Sequence, residues 1–233
     1  MTDYQLIEAI QSTSTIDELL EIAEKYTKTI GFEYFSYGHR AHTPFADPKL
    51  DLKNNYPDAW QKMYTENRFF DKDPTILHAL KTTAPLIWSD KNFVDSVKLR
   101  EGAKSFGIEY GWSQATRSTT GLSMLTLVRS SDPISNAEIN ENMSSLLWFT
   151  QTLNSALEKH IVTPQTQMSD ITLTAREAEV LRWTADGKTS YEISIILGIA
   201  ERTVNFHLNN VMTKLDSHNK ISATIKAITL SLI

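Results

Sequence analysis

The chain contains no cysteine, which excludes a disulfide scaffold, a thiol nucleophile and any thiolate metal site, and is compatible with a cytoplasmic setting. No run of about eighteen apolar residues occurs, and the opening MTDYQLIEAI lacks a basic stretch followed by an apolar one. Neither a membrane partner nor an export signal is therefore expected. Positive charge is also short: 23 Lys and Arg against 28 Asp and Glu leave a net charge of −5. That balance argues at first against nucleic acid, because phosphate contacts need local positive charge. No internal repeat and no low-complexity tract is present.

What is present is enough chain for two domains, since 233 residues exceed the usual single-domain size. The charge is unevenly spread between them. From Gln165 onward seven basic residues (Arg176, Arg182, Lys188, Arg202, Lys214, Lys220, Lys226) balance seven acidic ones, so the remainder carries the whole deficit. A neutral module with its cations on one surface can still meet DNA, though more weakly per protomer than a basic one.

Residues Leu6, Ile7, Ile10 and then Ile16, Leu19, Leu20, Ala23, Tyr26 have helical spacing, with Thr15 to Glu18 a capping box between two helices. Gly31 stops the second, and the aromatic-rich Phe32–His39 predicts a strand. Pro44 and Pro48 mark a loop. Short helices are expected from Tyr56 to Tyr64 and from Asp73 through Leu80, each with Pro near its start. A short strand at Pro85–Trp88, a helix over Phe93–Phe106 and strands at Tyr110–Arg117 and Leu122–Arg129 follow. Ser135 to Glu138 opens a long helix to about His160, with Ile139, Met143, Leu146, Leu147, Thr150 and Leu153 on one face. Helices flanking antiparallel strands make an α+β sandwich.

The polar stretch 162–171 reads as a linker between an N-terminal domain, 1–161, and a C-terminal one, 172–233. Four helices are predicted in the latter, two opened by capping boxes (Thr174 to Glu177, Thr189 to Glu192) and closed by Gly187 and Gly198. On the third, Val204, Leu208, Val211 and Leu215 face the core. On the fourth, Ile221, Ile225, Ile228 and Leu232 form one stripe.

The short second helix, tight turn and longer third helix match helix-turn-helix geometry, in which the second of the pair enters the major groove. Arg202, Asn205 and Asn209 share the face opposite Val204 and Leu208. Asn can pair bidentately with adenine and Arg with guanine, while Lys188, Thr189, Thr203, Asn210 and Lys214 suit phosphate. An ordinary helical bundle with a polar outer face would show the same spacing.

The run LTAREAEVLRWTADGKTSYEISIILGIAERTVNFHLNNVMTKL resembles the DNA-binding domain of the LuxR family of bacterial transcription factors, through Glu177, Leu181, Gly187 and the segment Thr203–His207. Ala200 departs from the pattern, since relatives usually carry a capping Ser there. Ahead of it, Tyr56, Trp60, Tyr64, Asp73, Pro74, Trp88 and Gly111 stand in the order and spacing of acyl-homoserine-lactone receptors. The resemblance implies an α+β fold: an N-terminal α/β/α sandwich whose antiparallel sheet encloses a ligand pocket, followed by an all-α four-helix LuxR-type helix-turn-helix domain.

It further implies that Trp60 donates to the lactone carbonyl and Asp73 accepts from the amide N–H. Tyr56 and Thr126 would reach the amide carbonyl, Thr75 would add a contact near Asp73, and Tyr64, Trp88, Phe93, Ala103, Phe106 and Met124 would wall the ring and chain. Taken singly, the aromatics fit plain core packing and Asp73 fits an N-cap. The partners implied are an N-acyl homoserine lactone, palindromic promoter DNA, a second copy of the chain through Ala223, Ala227 and Leu230, and RNA polymerase. No cofactor is implied.

Three alternatives fall on chemistry. Gly187-Lys188-Thr189 ends like a phosphate-binding loop, but Arg182 holds the earlier glycine position. His39 and His42 have too few nearby ligand types for a metal site. No G-x-S-x-G occurs and no nucleophile sits with a base, so an enzyme is not expected.

Overall fold

A computed structural model describes residues 3–44, 46–161 and 171–233. The chain divides into two compact units, Met1–Ile161 and Val162–Ile233. The expected linker lies outside the described residues except for Ile171.

The first unit carries a five-stranded antiparallel sheet in the order β2-β1-β5-β4-β3, formed by β1 (Tyr34–Ala41), β2 (Leu50–Asn54), β3 (Leu86–Ile87), β4 (Tyr110–Arg117) and β5 (Gly121–Arg129). Helices α1 (Asp3–Gln11), α2 (Ile16–Thr29) and α6 (Asn136–Ile161) supply Leu6, Leu19, Tyr26, Phe149 and Leu153 to one core, which Phe35, Tyr37, Trp112 and Leu127 complete from the sheet. The other face lies under α3 (Asp58–Glu66), α4 (Pro74–Lys81) and α5 (Val97–Ser105), with Trp60, Phe93, Leu99, Ile108 and Val128 as its main cluster. Central β5 is therefore buried on both sides along most of its length, as a strand between two helical layers must be.

Local chemistry accounts for most boundaries. Thr15 and Glu18 form the expected capping box ahead of α2. At α6 only half of one forms: Ser135 Oγ accepts from the Glu138 N–H at 3.1 Å, but the Glu138 carboxylate turns to Arg129 at 2.6 and 2.7 Å. A bidentate charged pair outcompetes a single backbone donor.

Four expectations need correction. The loop after Pro48 contains a strand, β2, whose Lys and Asp side chains hide its alternation and suit it to the sheet edge. The helix expected over Phe93–Phe106 is a 3-10 segment, Asp90–Ser96, followed by α5. Leu147 points outward on α6 and is exposed, because the buried stripe runs through Leu146, Phe149, Thr150 and Leu153. On the last helix the faces are exchanged, as described next.

The second unit consists of α7 (Ala175–Ala185), α8 (Ser190–Leu197), α9 (Glu201–Lys214) and α10 (Lys220–Thr229). Both predicted capping boxes form. Gly198 closes α8 at φ 62° and ψ 36°, a left-handed conformation that glycine adopts without a Cβ clash. Val204, Leu208, Val211 and Leu215 are buried as expected. In α10, however, Ala223 and Ala227 are fully buried against the core of Val180, Leu181 and Val211, whereas Ile221 and Ile228 are 68% and 52% exposed. Small residues let α10 approach its neighbours closely, so the alanines pack inward and the larger isoleucines are left outside.

Candidate functional site

In the first unit, the aromatic residues expected to wall a ligand do gather on one side of the sheet. Trp60, Phe93 and Ala103 are buried together, with Tyr56, Tyr64, Trp88 and Phe106 half-buried against them. Helix α3 presents Trp60 and Tyr64 one turn apart, their rings 5.7 Å from centroid to centroid in an edge-on arrangement. Met124 belongs to a separate small cluster with Ala79, Ala115 and Leu122.

Asp73 is at once an N-cap and the polar centre of the cluster. Its Oδ1 accepts from the Thr75 N–H at 2.8 Å and the Thr75 hydroxyl at 2.6 Å, and its Oδ2 accepts from the Tyr64 hydroxyl at 2.8 Å. Burial pushes the carboxyl above the usual range, and the bonds from Thr75 and Tyr64 oppose that rise. The same burial, with Asp73 alongside, raises the Tyr56 and Tyr64 phenols. Both tyrosines therefore remain neutral donors.

Other donors are left uncommitted. Among the described residues, nothing accepts the Trp60 indole N–H or the Tyr56 hydroxyl. Trp88 differs from the expected passive wall: its ring lies on Gly111, where a Cβ would fall 2.4 Å from the indole, and its N–H donates to Ser113 Oγ at 2.9 Å. Only glycine permits that approach. Ser113 Oγ is in turn 2.9 Å from Thr126 Oγ1. Ser113 escaped the sequence reading because a lone strand serine gives no periodic signal; its place two residues beyond Gly111, on the same sheet face, was the available clue.

In the second unit, Arg202, Asn205 and Asn209 all lie exposed on α9, and Thr203 and Asn210 are half-buried beside them. Asn205 Oδ1 accepts from Ser190 Oγ on α8 at 2.8 Å, a cross-helix bond that spacing did not reveal. Half-buried Lys188 precedes the capping residue Thr189, whose hydroxyl is taken up by Glu192. Ala200 caps α9 without a side-chain bond.

Lys214 does not fit the role expected of it. Its Nζ donates to Glu177 Oε2 at 2.7 Å and to the Thr172 carbonyl at 3.2 Å. The Glu177 side chain is only 4% exposed. Burial raises its carboxyl, but the bonds from Lys214 and Thr174 outweigh burial and hold it below the usual carboxylate range. A buried carboxylate needs such compensation, so Lys214 is engaged inside the domain rather than held ready for phosphate.

Both units match known family models. Residues 15–157 match the autoinducer binding domain and residues 171–227 match the model for bacterial regulatory proteins of the luxR family. The chain belongs to the LuxR family. It is 42% identical over 231 residues to the transcriptional activator protein AnoR of Acinetobacter nosocomialis, covering 98% of this chain and 97% of that protein. It is 37% identical over 213 residues to the HTH-type quorum-sensing regulator RhlR of Pseudomonas aeruginosa, covering 91% of this chain and 88% of RhlR.

The crystal structure of Escherichia coli SdiA superposes with a TM-score of 0.75 at 30% identity, covering 99% of this chain and 97% of SdiA. SdiA in complex with octanoyl-rac-glycerol gives the same score at the same identity, covering 97% of this chain and 93% of SdiA. This LuxR-family protein thus joins an autoinducer-binding domain to a DNA-binding helix-turn-helix domain, and its relatives are regulators rather than enzymes. No helix among the described residues is long and apolar enough to cross a membrane.

Proposed function

We propose that this LuxR-family chain is a cytoplasmic quorum-sensing activator whose sensor, residues 1–161, binds an N-acyl homoserine lactone and whose residues 172–233, beyond a linker at 162–171, bind a palindromic promoter as a dimer. The observation that carries the ligand reading is the Trp60 indole N–H and the Tyr56 hydroxyl, which find no acceptor among the described residues, near the Asp73 carboxylate. A lactone carbonyl would accept from Trp60, the amide N–H would donate to Asp73, and the amide carbonyl would accept from Tyr56 and Thr126. The aromatic wall excludes water and strengthens each bond.

On the DNA side, Arg202, Asn205 and Asn209 would read base edges, with Lys188 and backbone groups near Thr189 and Thr203 at phosphate. The dimer contact moves to the exposed isoleucines Ile221 and Ile228, in place of the buried Ala223 and Ala227. Two half-sites give a net-neutral domain the affinity that one lacks. Transcriptional activation requires RNA polymerase as a further partner. Ligand binding favours this arrangement by stabilising the folded sensor.

Thermal unfolding and mass spectrometry of protein expressed with a panel of acyl-homoserine lactones test the reading: a bound lactone and a raised Tm are expected, and no lactone with no shift overturns it. Ile228→Glu should abolish dimerisation on the operator; unchanged cooperative binding would dismiss the α10 face. A second reading, a receptor for a non-lactone acyl compound, draws support from the octanoyl-glycerol complex of SdiA. An ester carbonyl could take the amide carbonyl's place and a glycerol hydroxyl could donate to Asp73, so monoacylglycerols belong in the panel.

A further inference from the structure

The three side chains Trp88, Ser113 and Thr126 form a directional chain. Trp88 Nε1 carries a proton and no lone pair, so at 2.9 Å it can only donate to Ser113 Oγ. Ser113 is 2% exposed, enclosed between Trp88 and Thr126, and among the described residues its own proton has a single acceptor in reach, Thr126 Oγ1 at 2.9 Å. Either hydroxyl can donate in this pair, and either choice leaves one buried proton unmatched in the free protein; only when Ser113 donates is that proton on Thr126, where a bound acceptor can take it up and satisfy the whole chain. Donation from Ser113 moves the uncommitted proton to Thr126, on the sheet face that carries the aromatic cluster and in register with Ser36 of β1. Thr126 is itself 4% exposed, and no other described residue bonds its hydroxyl.

We propose that Ser113 is a positioning residue for the ligand: held by the Trp88 N–H, it donates to Thr126 when an acceptor is bound and so turns the Thr126 proton toward the ligand, which favours molecules presenting a carbonyl oxygen at that point. The inference rests on reading this pocket as a site for an acyl carbonyl compound. Gly111 contributes indirectly, because the indole reaches Ser113 only by lying flat on a backbone without a Cβ.

The test compares binding of octanoyl-homoserine lactone with its thioamide analogue, whose sulfur is a weak acceptor, and adds 1-octanoyl-glycerol as a second carbonyl probe. The wild type is expected to prefer the amide by about tenfold, the equivalent of one good buried hydrogen bond. Thr126→Val should remove most of that preference. Ser113→Ala should reduce it to about threefold or less by letting Thr126 turn, and Ser113→Thr should restore it. The double variant S113A/T126V should bind no more weakly than T126V alone.

Trp88→Phe keeps an aromatic ring but deletes the N–H that holds Ser113 in place, and should also lower the preference, which keeps the test decisive if S113A folds poorly. Additive losses in S113A and T126V, or an undiminished preference in both S113A and W88F, overturn the inference while leaving the pocket reading intact. A wild-type chain that binds neither octanoyl-homoserine lactone nor 1-octanoyl-glycerol overturns both.

Discussion

The candidate sites of the two units leave their polar groups in different states. In the DNA-binding unit the deeply buried carboxylate, Glu177, is fully matched by Lys214 and Thr174, while the polar side chains of α9 that would meet DNA stand in solvent. In the sensor, the Trp60 indole N–H and the Tyr56 hydroxyl find no acceptor among the described residues, beside a carboxyl whose pKa burial has raised. A polar group that is hydrated when free loses little by waiting for its partner, whereas a buried, unpaired one destabilises the fold until something fills the site. On the proposed function, the contrast would let one chain join an output domain that folds by itself to a sensor that a ligand stabilises.

The largest expected effect lies in the sensor. At about one hundred times its Kd, a ligand that binds only the folded state adds roughly 2.7 kcal/mol. Calorimetry should show the first transition moving and the DNA-binding unit's transition unmoved. If both move together, the units do not respond separately and the comparison fails.

Next comes Lys214→Ala, which leaves the Glu177 carboxylate short of a donor and should cost the second unit about 2 kcal/mol. The slope of DNA affinity against salt should stay unchanged, because Lys214 is engaged internally; a slope reduced by about one phosphate contact would return it to the DNA surface. The pH dependence has a definite sign. Glu177 is held below its unfolded pKa, so its stabilisation is complete above about pH 4.3 and disappears as pH falls through the lower folded value. In K214A that acid-side loss should shrink.

Trp60→Phe should weaken ligand binding by about tenfold through the lost N–H, and the smaller ring should also cost the free sensor about 1 kcal/mol or more in packing, since Trp60 is buried among Tyr64, Phe69 and Phe106. An unchanged ligand affinity in the folded variant would remove the indole N–H from the ligand contacts. The smallest effect is expected from Ser190→Ala. Freed from Ser190, Asn205 should discriminate less well at the base it reads, by a few tenths of a kcal/mol, against about 1–3 kcal/mol for Asn205→Ala. Competition binding with single-base operator variants resolves both, and equal losses on specific and nonspecific DNA would move Asn205 to the phosphate class.

Much of this was legible in the chain. Thr15, Thr174 and Thr189 each precede a Glu three residues on, and each forms its capping box because both partners are local. The aromatic cluster was also recoverable, since Trp60 and Tyr64 share a helix face and Gly111 lies opposite Trp88. Strand β2 was not, because an exposed edge strand lacks the apolar alternation that marks a half-buried one. Nor was the orientation of α10: two stripes, one of isoleucine and one of alanine, both have helical period, and only close packing against α7 and α9 selects the smaller side chains for the interior.

By itself, then, the sequence determined the two-part organisation, the helix boundaries of the C-terminal unit and the family pattern of Trp60, Asp73 and Gly111, since these depend on residues near in sequence or on a pattern of residue types. Tertiary structure decided which donors are left unpaired, that Lys214 is engaged with Glu177, that Ser113 links Trp88 to Thr126, and which face of α10 is free. Each of those turns on partners 13 to 37 residues apart or on how closely two helices approach, and no local pattern encodes either.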